Sequence, residues 1–322
     1  MVTEPMLADS LASRVLVTGA NGFVGQALVR RLTGAGYVVT KVPRSSGQAA
    51  PLGRGGVGND DDVTPLMAGH ASLVHLAARV HVMNDAAQDP LAAFRAANVI
   101  LAGNLARQAA AAGVRRFVFI SSIKVNGEAT LPGRPFTEED ADAPQDAYGI
   151  SKMEAEQGLR QIAAQTGMEL VIVRPPLVYG PGVRANFAAL MRAVARGVPL
   201  PLGSIDNRRS LVALDNLLDF IVTCIRHPAA AHQNFLVSDG EDLSTPELIR
   251  RMARAVGRPA RLLPVPLWLL KAGALVLGKQ DKLQRLCGNL QLDISKARGL
   301  LGWQPPVTVE EGLRRTLADN LP

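Results

Sequence analysis

Tyr148 and Lys152 stand four residues apart, a spacing that puts both side chains on one face of a helix, where an ammonium favours the phenolate of its neighbour. A free tyrosine titrates near ~10, so a phenol acting as a base at neutral pH needs a downward shift of roughly 3 units. Such a proton-transfer pair needs a redox partner beside it. Far upstream, Gly19-Ala20-Asn21-Gly22-Phe23-Val24-Gly25 spaces three glycines as G-x-x-G-x-x-G. Glycines so spaced let the chain turn tightly, approach a pyrophosphate without a side chain between, and pack a helix close to its strand. The helix beginning near Phe23 would aim its N-terminal amides and positive dipole end at the diphosphate. Together, in this order, the two motifs predict a redox enzyme that binds a dinucleotide.

The elements that must position these groups alternate. Residues 14–18 form a β-branched run ending at Gly19, and 26–32 follow with helical apolar spacing. Residues 37–42, 72–78, 117–121 and 170–174 read as further strands, with Ala-rich helical segments at 91–112 and 152–166. The pattern predicts an α/β fold with a Rossmann-type, doubly wound parallel sheet, whose ligand lies beyond the carboxyl ends of the strands. Gly19, Ser122 and Arg174 all follow strands there. Past Pro175 the chain turns to Pro- and Gly-rich turns, the start of a smaller C-terminal substrate-binding lobe. The expected division is a dinucleotide-binding domain over 12–176, with 211–238 returning to its sheet, and a second, substrate-binding lobe over 177–210 and 239–322. Residues 1–11 are expected to be disordered.

With 322 residues, 48% of them hydrophobic, the chain can bury a large core. The net charge of +7 suits an anionic small molecule, a nucleic acid or an acidic membrane, but the basic residues are scattered arginines without a long run, so nucleic acid is not an expected partner. Cys224 and Cys287 form no C-x-x-C motif, and His70, His75, His81, His227 and His232 show no ligand spacing, so neither a disulfide nor a metal is expected. His81, past the third strand, could reach the cleft. Residues 1–12 carry Glu4 and Asp9 and no signal-peptide pattern, which predicts a cytoplasmic protein. The apolar stretch 262–277 is interrupted by Pro264, Pro266 and Lys271 and is too short for a span of ~20 residues. It is expected to be a buried helix or a subunit contact, with Trp268 touching a membrane surface as the alternative.

An acidic residue after the second strand would favour NAD; this chain has Pro43-Arg44-Ser45-Ser46 there. With Arg44 and two hydroxyls to bind a 2′-phosphate, NADP is the expected cofactor and NAD the alternative. Arg44 as a solvent-facing loop residue is the plainer reading.

Taken together, several pieces resemble the extended short-chain dehydrogenases/reductases, the nucleotide-sugar epimerase/dehydratase family. They are residues 19–25, His75-Leu76-Ala77-Ala78, Asn98, 121–127, Tyr148 with Lys152, 174–181, 208–215, and the closing 293–297 and 301–305. The resemblance covers almost the whole chain. It implies that Tyr148 gives or takes the proton, that Ser122 relays it to the sugar oxygen, and that Lys152 tunes the phenol and holds the nicotinamide ribose. The same resemblance puts Gly19, Asn21, Gly22, Phe23, Val24, Gly25, Arg44, Leu76, Ala77, Ala78, Asn98, Tyr148, Lys152 and Pro175 around the cofactor. Arg208 matches the family's diphosphate contact, although Ser210 replaces the usual aromatic, so Arg209 shares or takes that role. Asn186 is a second diphosphate candidate, Lys124 and Asn126 sit where sugar contacts are expected, and Leu101 stands where a glycine is usual.

Ile123 and Lys124 replace the Asp-Glu pair of the family's dehydratases, and neither cysteine lies in a nucleophile motif, which leaves reversible redox at C4 of a hexose. The expected reaction is NADPH-dependent reduction of a UDP-4-keto-6-deoxy-N-acetylhexosamine in surface-polysaccharide (O-antigen) biosynthesis. Residues 122–127 resemble a bacterial subgroup holding both such reductases and 4-epimerases. A 4-epimerase of UDP-glucose or UDP-N-acetylglucosamine is the alternative, and a non-catalytic NADP sensor a third reading. The resemblance also implies a homodimer through two sheet-flanking helices.

Overall fold

The computed structural model describes residues 13–42, 61–80, 89–276, 278 and 280–320. Residues 1–12, Arg44 and His81 lie outside them. The strands among the described residues are β1 (Arg14–Thr18), β2 (Val38–Val42), β3 (Ser72–His75), β4 (Arg116–Ile120), β5 (Glu169–Arg174), β6 (Leu177–Tyr179), β7 (Arg209–Ala213), β8 (Asn234–Leu236) and β9 (Asp242–Leu243). The helices are α1 (Phe23–Gly34), α2 (Thr64–Met67), α3 (Pro90–Arg95), α4 (Leu101–Ala111), α5 (Ala147–Thr166), α6 (Ala185–Ala195), α7 (Leu214–Arg226), α8 (Thr245–Ala255), α9 (Leu267–Val276), α10 (Gln280–Cys287), α11 (Ser295–Leu301) and α12 (Val309–Asn320).

Six strands form a parallel sheet in the order β2-β1-β3-β4-β5-β8. Its central strands carry apolar residues on both faces because helices cover both, as a parallel sheet requires. On one face α2, α4 and α5 pack Leu105, Leu159 and Ile162 against Leu16, Phe117 and Ile172. On the other, α1, α7 and α11 pack Leu28, Leu217 and Leu301 against Val15, Val118 and Val173. Strand β2 lies on one side of β1 and the next strand, β3, on the other, so the strand order reverses at β1 and a crevice opens at the carboxyl ends.

A second, three-stranded sheet has the order β6-β7-β9, with β6 parallel and β9 antiparallel to β7. Helices α6, α8 and α12 build a separate core on it from Phe187, Met191, Met252 and Leu313. Of the segment 211–238, expected to return to the large sheet, α7 and β8 lie there, but residues 211–213 belong to the small sheet. Their side chains explain the ambiguity: Val212 enters the large core while Leu211 and Ala213 enter the small one. A strand apolar on both faces does not declare its sheet. The expectation of a buried helix within 262–277 is also corrected, because no residue of α9 is buried among the described residues.

Candidate active site

The glycine turn is dictated by contact distances. Gly19 has φ +68°, and a Cβ there would lie 2.7 Å from the Ala77 nitrogen. Any side chain at position 25 would collide with the Gly19 carbonyl oxygen, 2.1 Å from the ideal Cβ. The Gly22 amide donates to that same oxygen at 2.9 Å, and Gly22 then caps α1 with extended backbone and no side-chain cap. The helix start therefore presents its amides to the crevice, the arrangement that holds a phosphate. A cavity of about 610 Å³ follows, walled by residues 18–25 and 76–78 and reaching Ser122, Tyr148, Lys152 and Pro175.

Among the described residues, all the cofactor residues expected from the sequence line this cavity except Asn98. Arg44 lies outside the described residues. Asn98 is buried behind the wall, in a π-helical turn (Ala96–Ile100) leading into α4. Its Oδ1 accepts from the Arg79 amide at 2.8 Å, and its Nδ2 donates to the Arg79 carbonyl and to Ser151 Oγ at 3.1 and 2.9 Å. Asn98 thus ties the loop after β3 to α5. The extra residue of the π turn brings Leu101 to the cavity wall.

Helix α5 positions the candidate proton-transfer side chains. Asp146 caps it, accepting from the Gly149 amide at 2.7 Å, and Gly149 packs so close to Lys124 that a Cβ would come within 2.9 Å of its carbonyl oxygen. On the first turn the half-buried Tyr148 meets Phe94 edge-on at 6.1 Å and shares a hydrogen bond with the Ser122 side chain. Burial pushes the phenol up to about 12, the Ser122 bond draws it down, and Asp146 adds an upward push. Loss of water dominates, so the lowering expected from Lys152 does not appear. One turn on, the buried Lys152 donates to the Ile120 carbonyl at 2.7 Å and lies 4.4 Å above the Phe119 ring. Burial lowers its ammonium to about 7 against the upward pull of Glu156.

Sequence reasoning missed the polar layer beneath. Arg174, at the end of β5, makes a two-pronged pair with Glu156, Nε to Oε1 at 2.9 Å and Nη2 to Oε2 at 2.6 Å, with both side chains nearly fully buried. Glu156 Oε1 also accepts from Ser121 Oγ at 2.5 Å, and Arg174 donates to Asp142 and Asn126. The layer locks α5 to β4 and β5, and so Tyr148 to Ser122. The available signal was a carboxylate in the apolar stripe of α5, between Ala155 and Leu159. A second such group is His75, fully buried and stacked on Phe119, whose Nδ1 is 2.8 Å from Thr18 Oγ1. Burial first, and Lys152 second, lower its pKa to about 3, so it is neutral at physiological pH.

The five expected substrate contacts separate. Asn126 is buried, donating to the Thr137 carbonyl at 3.0 Å and accepting from Arg174, so its amide completes the Arg174 shell. The Lys124 ammonium pairs with Glu128 and Asp146 at the start of α5. Asn186 is exposed on the first turn of α6. Arg208 presents an exposed side chain while its amide donates to Asn289 Oδ1 at 2.7 Å, and Arg209 Nη1 donates to the Gly288 carbonyl at 2.9 Å.

Comparison with known proteins agrees with this site. The model of the NAD dependent epimerase/dehydratase family matches residues 15–237. A UDP-glucose 4-epimerase of Vibrio cholerae is 50% identical over 307 residues, covering 94% of each chain. Among solved structures, RMD from Pseudomonas aeruginosa complexed with NADPH superposes with a TM-score of 0.74 at 22% identity, covering 96% of this chain and 98% of that one. A Thermus thermophilus UDP-glucose 4-epimerase complex with NAD does so with 0.74 at 23% identity, covering 95% and 98%. The chain belongs to the NAD-dependent epimerase/dehydratase family and is an NAD(P)-dependent enzyme of the nucleotide-sugar epimerase and reductase type.

Proposed function

We propose that this protein interconverts the C4 epimers of a UDP-linked hexose, with UDP-glucose and UDP-N-acetylglucosamine as the substrate class. The observation that carries this reading is the convergence of Ser122, Tyr148 and Lys152 on one end of a cavity whose other wall is the glycine turn. Bound NAD(P) supplies a hydride acceptor and donor there. Tyr148 exchanges the O4 proton through Ser122: as phenolate it takes that proton when hydride leaves C4, and as phenol it returns it to the keto oxygen when hydride comes back. Lys152 holds the cofactor ribose. Arg208, with Arg209 and Asn186, grips the diphosphate from the small-sheet lobe, and Lys124 borders the sugar. The domain division at 176, with a substrate lobe beyond it, belongs to the same reading, as do a homodimer, a cytoplasmic location and a role in polysaccharide biosynthesis.

The relative at 50% identity supports epimerisation ahead of reduction. Reduction of a UDP-4-keto-6-deoxy-N-acetylhexosamine is the second reading, favoured by Arg44-Ser45-Ser46, which suit an exchanging NADP better than a retained NAD. One experiment separates the two. Purified protein is incubated with UDP-glucose or UDP-N-acetylglucosamine, and separately with the 4-keto sugar and NADPH. Formation of the C4 epimer without net loss of NAD(P)H supports the first reading; stoichiometric NADPH loss on the keto sugar alone replaces it with the second.

A further inference from the structure

We propose that the hairpin of α9 and α10 docks this protein onto an anionic membrane surface. Helix α9 reads Leu267-Trp268-Leu269-Leu270-Lys271-Ala272-Gly273-Ala274-Leu275-Val276, apolar on nearly every face. A helix of that kind belongs in an interior, yet none of its residues is buried. Trp268 is 68% exposed, Leu275 64% and Val276 85%. Of the thirteen exposed large hydrophobic residues among the described residues, six fall within 263–276, so this is a contiguous patch rather than scattered apolar surface. Between α9 and α10 lies a groove of about 630 Å³, lined by Leu267, Ala272, Leu275 and Leu283.

Charge selects the occupant. No acidic residue occurs between Glu247 and Asp281, while Arg250, Arg251, Arg254, Arg258, Arg261, Lys271 and Lys279 are basic. The three arginines of α8 pair with Glu247. Arg258, Arg261 and Lys271 are exposed and form no ion pair among the described residues. Apolar side chains flanked by unneutralised cations match the boundary between acyl chains and anionic headgroups. A second copy packed through a two-fold axis would bring like charges together. With ten residues, α9 is too short to cross a bilayer and would lie in its surface. Behind the hairpin, Asn207 Nδ2 donates to the Leu286 and Gly288 carbonyls at 3.0 and 3.2 Å. Docking therefore brings the strand next to Arg208 to the lipid surface.

The full-length protein supplies its own probe. It has two tryptophans, and Trp303 is 4% exposed in the core, so changes in emission report Trp268. Mixed phosphatidylglycerol/phosphatidylcholine vesicles should shift the emission to the blue and carry the protein down on sedimentation, whereas pure phosphatidylcholine should do so far less. Raising the salt should reverse binding, and Lys271→Gln or Arg261→Gln should each weaken it about fivefold. Trp268→Ser with Leu275→Ser should abolish sedimentation while leaving thermal melting and turnover of a soluble sugar nucleotide unchanged. The proposal is overturned by any of three results: no binding to anionic vesicles at low salt, equal binding by the double variant, or a blue shift that follows protein concentration without vesicles, which would assign the patch to a second copy.

Discussion

The two ends of the ligand groove are built by opposite rules. At the dinucleotide end, three glycines, a backbone turn and a buried layer centred on Arg174 and Glu156 fix every position before a ligand arrives. At the proposed sugar end, Arg208 and Asn186 are exposed side chains of the smaller lobe. Preorganised geometry lowers the cost of reaching a reactive arrangement, so on the proposed function the first region sets whether chemistry occurs and the second sets what is held. Mutations should therefore divide cleanly, rate and fold at one end and affinity at the other.

The largest effect should come from Tyr148→Phe, which keeps the Phe94 contact and removes the proton. Turnover should fall about 10²- to 10⁴-fold with the dinucleotide dissociation constant nearly unchanged, as read by cofactor fluorescence titration. Next, Glu156→Gln strands the Arg174 charge in the interior and should destabilise the fold by about 3–5 kcal/mol in denaturant titrations. A loss near zero would mean that the buried layer does not hold α5 in place.

His75 gives a pH test of the same region. Its folded pKa of about 3 lies below the ordinary 6.5, so between those values the unfolded chain binds the additional proton. Its contribution to stability is thus full above pH 6.5, declines as pH falls, and is lost below 3, on the order of a few kcal/mol in all. His75→Asn should flatten this part of the stability profile in acid titrations followed by circular dichroism. At the sugar end, Arg208→Ala should raise KM about tenfold or more, as for loss of a charged hydrogen bond, with stability within about 0.5 kcal/mol of the parent. If kcat falls more than KM rises, the division between the ends is wrong.

What the sequence revealed follows the same line. The β1-turn-α1 unit was legible because its constraints are local: Gly19 needs its positive φ and Gly25 its closeness to Gly19 within seven residues. Tyr148 and Lys152 were legible because helical spacing puts them on one face. The pairing of Glu156 with Arg174 was not, since it joins a helix to a strand and only tertiary packing buries both charges. For the same reason Asn126 looked like a sugar contact, being polar and close to Ser122, although its amide is spent inside the Arg174 shell. Residues 211–213 hid their sheet because both faces are apolar, and α9 read as interior because composition alone does not say what covers a helix.

The central claim is that hydride leaves and returns to the same C4 carbon beside Tyr148. It is tested most directly by supplying UDP-glucose deuterated at C4 and following the product by NMR. The account predicts the C4 epimer with deuterium still at that carbon and no change in total NAD(P)H. Loss of the label to free dinucleotide or solvent, or no epimer from the UDP-hexose, would contradict it.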